Sequence, residues 1–69
     1  MIYQIELTTQ EDNLLELLTF NNKLDAIIKY KEITTGLIYK SKLKNNILRL
    51  YKGEDADNLQ EVTKYTRRY

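Results

Sequence analysis

Cations recur at alternate positions in the segment 37–52, which holds five of the eleven lysines and arginines of the chain. Alternate residues of a β-strand project from the same face of a sheet. Cations spaced in this way, with a tyrosine among them, could neutralise phosphates and offer a flat ring for stacking. The candidate binding residues of this segment are Lys40, Lys42, Lys44, Arg49 and Tyr51.

The same segment predicts a β-hairpin. Asn45 and Asn46 form a two-residue loop, since asparagine accepts the positive φ that tight hairpin turns require. This loop pairs Lys44 with Ile47 and Lys40 with Tyr51, and a one-residue slip would turn the lysines into the core. The opposite, apolar face then gathers Leu37, Tyr39, Ser41, Leu43, Leu48 and Leu50.

Residues 23–33 allow two interpretations. The sequence AIIKYKEI alternates and is rich in β-branched and aromatic residues, which favours a strand from Ile27 to Ile33. Lys29 and Lys31 would then join the basic face of a three-stranded meander. Alternatively, apolar residues from Leu17 onward keep a helical spacing, and one helix continues to about Lys31.

Two helices and a strand complete the predicted elements. The alternation of IYQIELT predicts an N-terminal strand. Thr8 or Thr9, followed by acidic residues, resembles a helix N-cap, and the leucines of 14–18 continue at helical spacing. In this interpretation, Asn21 and Asn22 end that helix. Asp57 predicts the N-cap of a second, C-terminal helix.

Together these elements predict one small α+β domain spanning residues 1–69. The element order is β-α-β-β-β-α, or β-α-β-β-α if the first helix runs on to about Lys31. In either order the helices cover the apolar face of a small antiparallel sheet. The basic face is left open.

Composition argues against catalysis and against a cofactor. The chain has no histidine and no cysteine, so it lacks the usual general base and thiolate nucleophile, and the usual metal ligands. Its two glycines form no phosphate-binding loop. We therefore expect no enzyme activity, no cofactor and no metal site. Because no signal peptide or membrane-spanning segment is evident, we expect a cytoplasmic protein without membrane contact.

Charge is segregated along the chain, although the net charge is only +1. Residues 1–22 carry four carboxylates and no cation, whereas residues 23–53 carry eight cations and two carboxylates. We expect a binding protein whose basic sheet face takes an anionic partner, with nucleic acid first. The expected contact residues are Lys29, Lys31, Lys40, Lys42, Lys44, Arg49 and Tyr51.

The alternative is a protein-interaction module. It would self-associate, or it would dock on an acidic protein surface as a small accessory or inhibitor protein of the phage or mobile-element type. Self-association would help a cysteine-free chain of 69 residues, because a domain of this size buries only about 60% of its unfolded surface. Segregated charge would steer encounter with a partner of opposite sign.

Overall fold

One antiparallel sheet and one helix make up the described part of a computed structural model, residues 1–36 and 43–66. In chain order the elements are β1 (Ile2–Thr8), β2 (Leu14–Phe20), α1 (Lys23–Thr35), β3 (Ile47–Gly53) and β4 (Leu59–Thr66). The strands lie in the order β2-β1-β3-β4, and all neighbours are antiparallel. The predicted α+β class with a small antiparallel sheet is confirmed. The observed order, β-β-α-β-β, only partly matches the predicted ones.

The centre of the sheet is formed by β1 and β3. The predicted N-terminal strand is confirmed as β1, and its Ile5 and Leu7 are buried. Ile5 lies opposite Leu50 of β3, and Leu7 lies opposite Leu48. These four side chains join three others in the buried core, which consists of Ile5, Leu7, Ala26, Ile33, Leu43, Leu48 and Leu50.

The first predicted helix is wrong, because residues 14–20 form strand β2. The Thr9 hydroxyl accepts a hydrogen bond from a backbone N–H, as a helix N-cap would. The donor, however, is Asn13, at 3.1 Å, and the bond lies within the β1–β2 turn. Asp12 takes a positive φ of 65° in the same turn. Threonine side chains satisfy backbone donors in turns as well as at helix starts, so this local signature did not distinguish the two.

The strand predicted from Ile27 to Ile33 is also wrong, because these residues lie in α1. The helix begins where the first helix was expected to end: the Asn22 side chain accepts from the N–H of Leu24 at 2.7 Å. An asparagine in extended conformation is a preferred N-cap, so the same residue type serves either end of a helix. Ala26 and Ile33 are fully or almost fully buried against the sheet.

Strand β3 was predicted correctly, but its partners were not. Leu48 and Leu50 lie on the apolar side, and Asn45 has the expected positive φ of 62°. However, the strands that pair with β3 are β1 and β4. Of the predicted hairpin, residues 37–42 lie outside the described residues.

The predicted C-terminal helix is wrong, because residues 59–66 form strand β4. The acidic segment before it forms the β3–β4 turn. There the Asp55 carboxylate accepts from the N–H of Asp57 at 2.9 Å and from the side-chain amide of Asn58 at 2.9 Å. As at Thr9, side-chain bonding to nearby N–H groups marks a turn here.

The helix lies on one side of the sheet, as expected for helical cover, and packs mainly on β1 and β2. We call the opposite side of the sheet the open face. Because Leu48 and Leu50 point to the core, Arg49 and Tyr51 lie on the open face. This placement of Arg49 and Tyr51 agrees with the sequence-based prediction.

Candidate functional site

The outer edge of β2 is the most exposed apolar part of the sheet. Leu14, Leu15 and Leu17 are 57%, 53% and 46% exposed. No other strand pairs with this edge within residues 1–36 and 43–66. Unpaired N–H and C=O groups of an edge strand form a template for pairing with another chain. We call this strand, residues 14–20, the β2 edge.

The β2 edge carries few of the features that usually protect an edge strand. Its sequence, LLELLTF, contains no lysine, arginine or proline, and Glu16 is its one charged residue. Native edge strands are usually shielded by charged residues, especially lysine, or by proline or bulges. The register of β2 does shift at the Leu7/Thr8 position of β1, but only at its N-terminal end. The rest of the strand, from Glu16 to Phe20, pairs regularly with β1.

The other edge strand of the sheet, β4, has more of the features that hinder pairing with another chain. Glu61 and Lys64 lie on this strand, and the register with β3 shifts between Leu50 and Tyr51. A charged and bulged edge resists pairing with another chain. The two edges of the described sheet therefore differ in composition, and the β2 edge is the more apolar of the two.

Arg49 lies at the centre of the open face in an acidic environment. Its Nε lies 3.3 Å from Oε1 of Glu61, and its Nη1 lies 3.7 Å from Oε1 of Glu6. Nη2 lies 3.9 Å from Oδ1 of Asp12, and Nη1 donates to the Thr8 hydroxyl at 3.0 Å. Only 16% of the Arg49 side chain is exposed. The guanidinium is thus engaged by three carboxylates from its own chain.

Tyr51 lies beside the same acidic group. Burial raises the pKa of Tyr51 above its ordinary value of 10.0, and the charge of Glu6 raises it further. A hydrogen bond with Glu6 acts in the same direction, because it stabilises the protonated phenol. Within the described residues, the charged groups that act on Tyr51 are therefore Glu6, Arg49 and Glu61.

The predicted basic face is not assembled by the described residues. Lys29 and Lys31 lie on α1, across the sheet from the open face, and Lys29 Nζ lies 3.7 Å from Oε1 of Glu32. Lys44 precedes β3 and is exposed, whereas Lys40 and Lys42 lie outside the described residues. Of the five predicted contact residues that the structure describes, only Arg49 and Tyr51 are brought together on one sheet face. Partner binding by the seven residues stays a prediction.

Sequence reasoning missed the β2 edge because its leucines were assigned to the buried stripe of a helix. The absence of charge from LLELLTF apart from Glu16 was visible in the sequence. That signal becomes informative only when the segment is known to be an edge strand. A strand with one buried face usually alternates polar and apolar residues, whereas Leu17 and Leu18 are consecutive here.

Within the described ranges, no group of three or more His, Cys, Asp or Glu side chains is arranged to hold a metal ion. The helix found there lacks the length and apolar character needed to cross a lipid bilayer.

No family model matches the chain, and no curated protein or solved structure shows significant similarity to it. The physical features of the surface therefore carry the functional argument.

Proposed function

We propose that this protein is a non-catalytic interaction module that self-associates through the β2 edge. The observation that supports the proposal is the contrast in composition between the two sheet edges: β4 carries Glu61 and Lys64, while the β2 edge carries four leucines, one phenylalanine and a single charged residue, Glu16. Antiparallel addition of a second sheet would satisfy the backbone groups of the edge and cover its leucines.

A second copy of the chain is a suitable occupant because the β2 edge complements itself. In a twofold antiparallel arrangement, residues on the same side of both sheets must face each other. A twofold axis at Leu17 satisfies this condition and places Glu16 opposite Leu18 of the partner. An axis at Glu16 would set two carboxylates opposite each other, which destabilises a strand pair. The Leu17 axis therefore gives a continuous sheet without a charge conflict.

The small size of the hydrophobic core also favours self-association. Seven hydrophobic residues are buried among the described residues. Small domains without disulfides or metals often gain the missing burial by oligomerising. The chain contains no cysteine.

Sedimentation of the wild-type chain beside two lysine variants tests the proposal. We expect a concentration-dependent dimer for the wild type. Leu17→Lys should raise the dissociation constant by at least about tenfold, because two lysines would meet at the axis. Leu24→Lys, at a residue that is 63% exposed on α1, is the matched control and should leave the dimer unchanged. A wild type that stays monomeric at all concentrations would contradict the proposal.

Nucleic-acid binding, the first expectation from the sequence, stays a prediction. A salt titration of oligonucleotide binding by the wild type beside Lys40→Glu/Lys42→Glu tests it. Phosphate contacts made by these lysines would give binding that weakens steeply with salt, and the double variant would lose both affinity and part of the salt dependence.

A further inference from the structure

A groove lined by two lysines lies on the helix side of the sheet. Because α1 packs mainly on β1 and β2, it leaves part of β3 and β4 uncovered near its N-terminus. The groove has a volume of about 110 Å³. Its lining residues are Tyr3, Lys23, Ile27, Leu50, Lys52 and Val62.

Apolar groups form most of the groove. The side chain of Leu50 is almost fully buried, while Ile27 of α1 and Val62 of β4 line the same groove. Val62 lies at the register shift between β3 and β4. Its side chain lines the groove and is 49% exposed. An apolar surface of this kind gains free energy when an apolar side chain covers it.

Two lysines give the groove its charge. Lys23 is the first residue of α1, and Lys52 lies near the end of β3. Among the described residues neither lysine forms an ion pair, whereas Lys29 pairs with Glu32 and Arg49 with three carboxylates. A cation at the first helical position also lies against the positive end of the helix dipole, which disfavours it in the isolated fold. An anionic partner would relieve that unfavourable placement.

The size of the groove limits what can occupy it. Pockets for cofactors and drug-sized ligands enclose roughly 300 Å³ or more, so this groove holds about one side chain. A phosphodiester backbone would contact the lysines but leave the apolar walls uncovered. A leucine-like side chain flanked by carboxylates would cover the walls and reach both lysines.

We propose that the groove between α1 and β4 binds an acidic protein segment by an apolar anchor residue held between Lys23 and Lys52. The groove is distinct from the β2 edge, because none of its lining residues belongs to β2. A dimer formed through the β2 edges would carry one groove at each end. Binding at the groove therefore does not depend on self-association.

An NMR titration of the isotope-labelled full chain tests the proposal with the capped peptide EDELEDE as the probe. We expect amide shifts centred on Lys23, Ile27, Lys52 and Val62, and affinity that falls with added salt. The peptide EDESEDE removes the anchor and should bind at least about tenfold more weakly, since a buried leucine side chain contributes most of the apolar contact. Equal binding of the two peptides would overturn the proposal.

Charge-reversal variants provide the second arm. Lys23→Glu/Lys52→Glu should weaken EDELEDE binding by about tenfold or more, because two attractive contacts become repulsive. Lys31→Glu/Lys64→Glu carries the same change in net charge away from the groove and should bind like the wild type. If the first variant does not fold, Lys52→Gln alone should still weaken binding. Undiminished binding in the folded variants, or a single-stranded oligonucleotide that shifts the same signals more strongly than EDELEDE, would overturn the proposal.

Discussion

Arg49 Nε lies 3.3 Å from Oε1 of Glu61, a β4 residue that lies opposite Tyr51, two positions further along β3. This contact places a carboxylate beside a residue that was predicted to lie on a basic face. Arg49 was predicted to stand among cations, but the strands on both sides of β3 supply carboxylates: Glu6 from β1 and Glu61 from β4. The guanidinium stabilises this side of the sheet, since without it the carboxylates would repel one another across the strands.

Replacing Arg49 by methionine should therefore destabilise the fold. We expect a loss of about 1–3 kcal/mol, from the hydrogen bond to Thr8 and from carboxylates left without their shared counter-charge. Urea denaturation measures this change. Lys64→Met is the matched control, because Lys64 lies opposite Arg49 but is exposed, and it should change stability by less than about 0.5 kcal/mol.

A double-mutant cycle separates charge from packing at this site. Glu61→Gln in the Arg49→Met background should cost less than the sum of the two single substitutions, because the carboxylate is no longer an uncompensated charge. Strict additivity would mean that the Arg49–Glu61 contact contributes nothing and that Arg49 acts by packing alone.

The side-chain faces of β1 and β3 could be predicted because each strand has one buried side. Ile5, Leu7, Leu48 and Leu50 follow this rule, and the alternation indicates both strand and face. The pairing of Arg49 with Glu6 and Glu61 could not be predicted in this way. The alternation of polar and apolar residues indicates the sheet face on which a side chain lies. It does not indicate which strands pair, because strand pairing depends on residues that are distant in sequence.

Segments 14–20 and 59–66 were assigned to the wrong element type for a different reason. Short apolar runs such as LLELL fit one face of a helix and a strand equally well. The polar residues before each run also fit either a cap or a turn, as Thr9 and Asp55 show. Segments 14–20 and 59–66 form strands because they pair with β1 and β3. A short stretch of sequence does not show which strands will pair.

The free energy of unfolding should fall in alkaline solution because of Tyr30. Burial raises the pKa of Tyr30 above its ordinary value of 10.0, while a hydrogen bond with Thr63 of β4 partly opposes this. The unfolded chain then releases the phenol proton first, so stability is complete below about pH 10 and is lost as pH rises through the folded pKa.

Tyr30→Phe tests this assignment. The variant should be less stable than the wild type at neutral pH by about 1 kcal/mol, owing to the lost hydrogen bond to Thr63. It should also lose stability less steeply above about pH 10, since one phenol no longer contributes. Chemical denaturation at a series of pH values checks both effects. An unchanged alkaline slope would show that other groups control it.

Asn22→Ala should destabilise α1. The Asn22 side chain accepts from the N–H of Leu24 at 2.7 Å and of Asp25 at 3.4 Å, and alanine leaves both donors without this partner. Loss of an N-cap typically costs about 1 kcal/mol, measurable by thermal or urea denaturation. Asn21→Ala, one residue earlier and exposed, is the matched control and should change stability little. Equal effects of the two substitutions would contradict capping by Asn22.

The register proposed for the β2 edge predicts which single cysteine will cross-link two copies. A twofold axis at Leu17 brings the two copies of this residue directly opposite, where Cα atoms of antiparallel strands lie about 4.5–5.5 Å apart. That separation suits a disulfide, and the chain has no other cysteine to interfere. Leu17→Cys should therefore form a covalent dimer under mild oxidation, detected by non-reducing electrophoresis.

Thr19→Cys is the matched control on the same strand and the same face. In the Leu17-centred register, the two copies of residue 19 are four positions apart along the strand, or roughly 13 Å, which is too far for a disulfide. This variant should stay monomeric on electrophoresis. If Thr19→Cys cross-links only when mixed with Leu17→Cys, the axis lies at Leu18 instead. If neither variant cross-links at concentrations where the wild type is dimeric, the dimer uses a different surface.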